Sequence, residues 1–283
     1  MEATAPLTDP APRTFFGVPS LRELDMLDAQ VAFLGVPYDG GKPEPRIPTG
    51  QRAGPAAARE ATQAQFYYPR STRPGGDRGA EGWYDVEADR DYLIGVTMAD
   101  VGDVAIQGSD AEANYERITG AARRIAEQGA LMVAIGGDHS ISYPLGRGME
   151  PFGQFDVVHV DAHADFLDEL NGSRLTGASQ LRRLAELPFV GTVTALGVRN
   201  VDRAEVDGMR KLGDGGRPAS MCSTAGRAMR CVRRSPRQGR STSRSTSTCS
   251  ILRSRPGTRC RSRAGSATGR FARSWSKSRD VGA

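Results

Sequence analysis

The chain is poor in histidine, in aromatic residues and, over most of its length, in cysteine. Histidine occurs only at positions 139, 159 and 163 of 283, and aromatic side chains make up 6%. All four cysteines, Cys222, Cys231, Cys249 and Cys260, fall in the last quarter at spacings that match no zinc module. Thiolate metal sites and a disulfide framework are thereby excluded for the first 221 residues. No early apolar run is long enough for a signal peptide or a membrane span, so a cytoplasmic protein with no membrane partner is expected. Acidic residues all but vanish towards the C-terminus: Arg217 to Ala283 hold sixteen Arg, one Lys and a single acid, Asp280, for a net +16. With +5 on the whole chain, the 216 residues before them carry −11.

What is present reads as one large α/β domain. Apolar runs at Val31–Val36, Leu131–Ile135, Val157–Val160 and Val193–Gly197 have the length and near-continuous character of strands buried in a parallel sheet. Between them lie helical patterns, clearest over Ala111–Gln128, with Gly129 as a stop. A three-layer fold follows, a parallel sheet with helices on both faces, and ligands in such sheets bind beyond the carboxyl ends of the strands. Composition divides the chain into a Pro- and Ala-rich flexible N-terminus (1–13), the α/β domain (14–212) and a basic Arg/Ser-rich tail (213–283) expected to be disordered or irregular.

Candidate chemistry concentrates at two strand ends. Val157 to Asp165 reads Val-Val-His-Val-Asp-Ala-His-Ala-Asp, which places Asp161, His163 and Asp165 at alternate positions. Extended geometry sends i, i+2 and i+4 to one side, so these three converge if the strand persists through Asp165. A fourth ligand, His139, waits in Gly136-Gly137-Asp138-His139-Ser140. Two carboxylates and two imidazoles suit a hard divalent ion such as Mn²⁺ better than a thiolate-type zinc site. His159, inside the apolar run, reads as a packed core histidine.

Gly-Gly-Asp-His-Ser at 136–140 and Asp-Ala-His-Ala-Asp at 161–165, about twenty residues apart, resemble two signatures of the ureohydrolases, the arginase and agmatinase family. Leu34-Gly35-Val36-Pro37-Tyr38-Asp39, Gly50-Gln51-Arg52-Ala53-Gly54-Pro55, Asp100-Val101-Gly102-Asp103-Val104 and Gly197-Val198-Arg199 are similar to further family segments, the third of these to a connection. The resemblance runs from about Phe15 to about Met209. It implies a single eight-stranded sheet, a homo-oligomer (trimer or hexamer) and hydrolysis of a small guanidino substrate to urea and an amine. It also implies two Mn²⁺ ions: His139, Asp161 and Asp165 on one, and Asp161 and His163 on the other, with Asp161 and His163 the residues nearest the chemistry. A paired divalent site makes water nucleophilic near neutral pH, which the charge-delocalised guanidinium carbon demands. Asp138 is expected either to orient a ligand or to cap the following helix.

Three departures bear on activity and substrate. The family's Asp-x-Asp pair is missing, with Ser245 to Thr248 in its place, and hydroxyls cannot replace bridging carboxylates. A family loop histidine falls at Gly177 in Leu175-Thr176-Gly177-Ala178-Ser179. The adjoining loop carries Asp168, Glu169 and Asn171, whose acidity favours a cationic guanidino compound, agmatine first and 4-guanidinobutanoate behind it.

The tail has three readings. Arg-rich sequence binds nucleic-acid phosphates, yet aromatic stacking residues are almost absent and an acidic body has no use for such an arm. By composition alone the tail is simply disordered sequence, and for the chain as a whole a non-catalytic metal-binding or oligomer-forming relic of the fold stands as the alternative to an enzyme. Read one base out of frame with G or C at third positions, Arg240 through Leu252 can be spelled Val-Asp-Val-Ala-Val-Asp-Val-Asp-Val-Leu-Asp-Pro, followed near Gly265 by Pro-Glu-Pro-Gly-Gly. Those strings resemble the third ureohydrolase signature, and the change of frame falls between about Gly208 and about Ser220. On that reading the chain is an impaired, agmatinase-like amidinohydrolase.

Overall fold

The computed structural model describes residues 6–41, 50–65, 83–215, 219–223 and 230–233. The strands are β1 (Thr8–Asp9), β2 (Val31–Val36), β3 (Trp83–Asp85), β4 (Arg90–Tyr92), β5 (Met98–Val104), β6 (Leu131–Gly136), β7 (Phe155–Val160), β8 (Val190–Leu196), β9 (Ala219–Ser223) and β10 (Arg230–Arg233). The helices are α1 (Gly54–Gln65), α2 (Ala111–Glu127), α3 (Ser142–Gly148), α4 (Gln180–Glu186) and α5 (Arg203–Asp214). Residues 234–283 lie outside the described residues.

The first sheet has the order β1-β5-β2-β6, with β2 parallel to both neighbours and β1 antiparallel to β5. Alternation sorts its residues into two cores. Ala32, Leu34 and Val36 join Tyr115, Ile118, Ala121 and Ile125 of α2, while Phe33 packs with Phe15, Val18 and Ala58 of α1. The helical spacing of those α2 residues gives one apolar stripe. Asp110 caps the helix by accepting from Ala113 N at 3.1 Å, a contact that contributes about 1 kcal/mol. Gly129 then ends it at φ +74°. Gly148 lets α3 lie close on α2, because a Cβ there would stand 2.5 Å from that of Ala122.

Asp100–Val104, likened to a family connection, instead belongs to β5 (Met98–Val104), the strand between β1 and β2. Asp100 and Asp103 interrupt its apolar pattern, but Arg59 from α1 neutralises both: its Nε and Nη2 lie 2.9 and 3.0 Å from the Asp100 carboxylate, and its Nη1 reaches Asp103 at 2.5 Å.

The second sheet has the order β10-β9-β8-β7, with β7, β8 and β9 parallel. One face packs on α4 and α5 through Val193, Ala195, Leu181, Leu184 and Met209. On the other face Val158 and Val160 stand 58% and 77% exposed. The single eight-stranded sheet is not seen among the described residues: β6 and β7 are edge strands of two four-stranded sheets. The sequence available to complete it, beyond Arg233, is Arg/Ser-rich and lacks the alternating apolar residues a strand between them would need.

The body also reaches past the expected boundary at 212. Helix α5 ends at Asp214, and β9 sets Ala219 and Met221 against the second core. Small and apolar side chains let this part of the tail fit as a strand between β8 and β10. Beyond Arg233 the tail, including Ser245–Thr248 and the out-of-frame strings, lies outside the described residues, as do residues 1–5. The rest of the N-terminus expected to be flexible (6–13) is described, and Thr8–Asp9 are tied down as a strand against Val104 and Asp103 of β5. No helix among the described residues is long and apolar enough to cross a membrane.

Candidate metal centre

The segments that leave β6 and β7, edge strands of the two sheets, come together and supply the site. After β6, Gly137 takes φ +77° where a Cβ would collide with the Val36 and Tyr38 carbonyl oxygens, at 2.4 and 2.5 Å. That close passage delivers Asp138 and His139. Asp138 is buried and fully used: one oxygen accepts from Gly41 N at 2.7 Å, and the other accepts from Ser140 N at 2.9 Å and from the Ser140 hydroxyl. It caps the short turn His139–Ile141 and pins the loop after β2 beside it. Burial, with the charge of Asp138 next, pushes the Tyr38 hydroxyl up to about 12.

After β7 the backbone stops being extended. Asp161 N still bonds Leu196 O, but Ala162 O takes both Arg199 N and Asn200 N, and Asp165 adopts φ +49°. Asp tolerates this left-handed conformation better than most residues, at an energetic cost that functional segments commonly carry. Strand alternation therefore does not gather Asp161, His163 and Asp165. The bend turns Asp161 and Asp165 towards His139, whose Nδ1 lies 2.8 Å from Asp165 Oδ2 and 3.5 Å from Asp161 Oδ2. His139, Asp161 and Asp165 each offer a ligand atom within 4.8 Å of the others.

His163 lies at the rim. Its Nδ1 is 3.2 Å from Asp161 Oδ1, which also accepts its backbone N–H at 2.9 Å, and its side chain is 57% exposed. Asp161 thus faces both ways, Oδ2 inward and Oδ1 towards His163. Underneath, His159 is buried as the apolar run implied, yet it is not remote: its ring stacks on His139 with centroids 5.2 Å apart.

The charges respond to this crowding. The Asp165 hydrogen bond raises the His139 pKa against the opposing effect of burial. Burial, reinforced by His139, lowers that of His159. Burial would raise Asp161, but the His163 N–H and the neighbouring imidazoles hold it below the ordinary carboxylate value.

The loop expectations fare differently. Asp168 is exposed and held by Arg183 at 2.8 Å and by Arg174 and Arg182, each at 3.3 Å, with the Arg183 contact leading the depression of its pKa. Asn171 sits exposed in a turn at φ +50°. Gly177 does lie over the site, where a Cβ would be 3.6 Å from that of His139, an ordinary contact. Two residues went unread in the sequence. Gln180, the first residue of α4, brings its amide Nε2 within 3.4 Å of His139 Nε2. Glu205 of α5, in a capping box with Asp202, accepts from Phe166 N at 2.9 Å and so anchors the segment after Asp165. A capping pattern Asp-x-x-Glu at 202–205 was a usable signal for Glu205; nothing local marked Gln180.

The family model of the arginase family matches residues 29–215. The guanidinobutyrase of Pseudomonas aeruginosa is 33% identical over 177 residues, covering 60% of this chain and 47% of that protein. The agmatinase of Pyrococcus horikoshii is 32% identical over 187 residues, covering 66% and 57%. The chain therefore spans about half the length of these curated relatives. Among solved structures, the Trypanosoma cruzi formiminoglutamase with Mn²⁺ superposes with a TM-score of 0.54 at 23% identity, over 72% of this chain and 63% of that one. The proclavaminate amidino hydrolase of Streptomyces clavuligerus gives 0.53 at 21%, over 74% and 72%. Those likenesses carry the fold, and the match over residues 29–215 carries the assignment: the chain belongs to the arginase family.

Proposed function

We propose that this chain carries the first part of a divalent-metal amidinohydrolase site for a small guanidino compound, left incomplete by its C-terminal sequence. The observation that carries the reading is the convergence of His139, Asp161 and Asp165. Two carboxylates meet there with only an imidazole to balance them, and an oxygen-rich donor set of that kind fits a hard ion such as Mn²⁺. His139 Nδ1, Asp161 Oδ2 and Asp165 Oδ2 would hold one ion. Asp161 Oδ1 and His163 Nδ1 face the place of a second. Bound divalent cations supply a water nucleophile near neutral pH and stabilise developing negative charge.

The remaining chemistry belongs to the chain. Asp138 fixes the turn that aims His139. His163, the most exposed of the four, would hold its ion at the solvent-facing side of the site. Asp168 is committed to three arginines and lends no support to a cationic substrate over an anionic one. Agmatine and 4-guanidinobutanoate are accordingly tested side by side.

The experiment compares this chain with the product of the same gene after restoring the reading frame near the codons for residues 208–220. Manganese content and urea release are measured at equal protein concentration. The chain as given is expected to retain less metal and release little urea, and the restored one to recover both. Equal metal content and turnover in the two would dispose of the frame reading. A restored chain that binds Mn²⁺ but stays silent on guanidino compounds would leave a non-catalytic metal-binding relic of the fold.

A further inference from the structure

The buried Gln180 side chain carries an unresolved polar atom. Among the described residues its Oε1 has no hydrogen-bond partner, and the residue is 1% exposed. An amide acceptor shut away from water without a partner is costly, so its placement calls for a physical reason. The other end of the same amide, Nε2, points at His139 Nε2 from 3.4 Å. An amide nitrogen only donates. His139 Nε2 must then be the bare nitrogen of the ring, and the ring proton must sit on Nδ1, where it is donated to Asp165 Oδ2 at 2.8 Å. With the amide nitrogen facing the ring, the three groups fit a neutral imidazole that carries its proton on Nδ1, which is a metal-free arrangement.

A metal ion at Nδ1 requires the opposite tautomer. Nδ1 must offer its lone pair, and the proton must move to Nε2. The Gln180 amide nitrogen would then confront an N–H, while its idle Oε1 is the acceptor that the new N–H needs. Half a turn of the terminal amide exchanges the two. We infer that Gln180 is the positioning residue for His139, turning its amide to hold the Nδ1–H form when the site is empty and the Nε2–H form when Nδ1 is a ligand. Glutamine suits this because one planar group carries both a donor and an acceptor. Its backbone is tied to the same segment: Leu181 N, the next residue, bonds Asp165 O at 3.2 Å. The metal half of this inference rests on the proposed function; the tautomer half does not.

Two variants separate the possibilities. Gln180→Glu presents only oxygens and should draw a proton onto His139 Nε2, whereas Gln180→Met fills the space with neither donor nor acceptor. Long-range ¹H–¹⁵N correlation spectra of the metal-free chain, in alkaline buffer where the wild-type ring is neutral, should show Nε2 bare in the wild type and protonated in Gln180→Glu. An Nε2 protonated in the wild type, or bare in the Glu variant, would overturn the inference. Mn²⁺ affinity, read by competition with a chelator, should fall about 10–100-fold in Gln180→Met and recover towards wild type in Gln180→Glu. Equal losses in both would make Gln180 a packing residue only. Should the Met variant fail to fold, the spectra of the other two proteins still decide. Should the wild-type chain bind no Mn²⁺ at all, the functional reading falls while the tautomer result stands by itself.

Discussion

Two pairs of carboxylates stand in this protein, and they are treated in opposite ways. Asp100 and Asp103 share Arg59, which is 2% exposed, also donates to Gly102 O at 3.1 Å, and lies under the Phe15 ring with its guanidinium carbon 4.4 Å from the centroid. Every charge there is answered from within the chain. Asp161 and Asp165 meet an imidazole from one side and solvent from the other, on a bend where Asp165 takes a left-handed backbone. The first pair closes a gap between α1 and the sheet; the second holds negative charge in reserve for something the chain does not itself supply. A carboxylate pair is thus read by what neutralises it, since buried charge without a partner is not tolerated.

The comparison breaks most visibly at Arg59. Arg59→Met leaves the buried Asp100 without a counter-charge, beside a partly exposed Asp103, and urea unfolding should show a loss of about 3–5 kcal/mol. A loss below about 1 kcal/mol would mean that water reaches the pair and that the contrast drawn above is wrong.

At the second pair the same kind of change should act on metal and barely on folding. Asp165→Asn removes one of two like charges, so the metal-free protein should unfold within about 0.5 kcal/mol of wild type. Added Mn²⁺ at a hundred times its dissociation constant should stabilise wild type by about 2.7 kcal/mol and the variant hardly at all. If Mn²⁺ raises the unfolding midpoint of both equally, the ion binds elsewhere.

The smallest effect sharpens the comparison through pH. The depressed pKa of His159 means that the unfolded chain takes up this proton more readily, so its contribution to stability is lost as pH falls below about 6.5. The raised pKa of His139 works in the other direction, stabilising below that same value and fading as pH rises through its folded pKa. His139→Asn removes the compensating group. Its unfolding midpoint should drop more steeply than that of wild type when metal-free samples are taken from about pH 7.5 to about pH 5.5. Parallel slopes would show that the two imidazoles are not coupled to folding as their stacking suggests.

Much of this was legible in the chain itself. Continuous apolar runs announced β2, β6, β7 and β8, although β7 leaves Val158 and Val160 exposed on one face among the described residues. The helical spacing of Ala111–Gln128 and the stop at Gly129 marked α2, while its cap at Asp110 was found only in the structure. The clustering of all three histidines within 25 residues, at two strand ends, identified the site before any geometry was known. Strand β5 escaped because its two aspartates look like loop residues until Arg59, 41 positions from Asp100, is brought against them. The expectation that alternation would align Asp161, His163 and Asp165 failed because Ala162 O is claimed by Arg199 and Asn200, a contact across the sheet that bends the chain.

The sequence by itself determined which residues could bind a metal, which runs would be strands, and where the apolar body gives way to arginine and serine, since all three follow from side-chain chemistry and local spacing. Only the tertiary structure decided that Asp161 has one oxygen on each side of the site, that His163 stays at the rim, that Asp168 is spent on arginines, and that Gln180 reaches His139. Those outcomes depend on residues from different strands and helices meeting at distances near 3 Å, and no local pattern encodes which of many polar side chains will be the one that arrives.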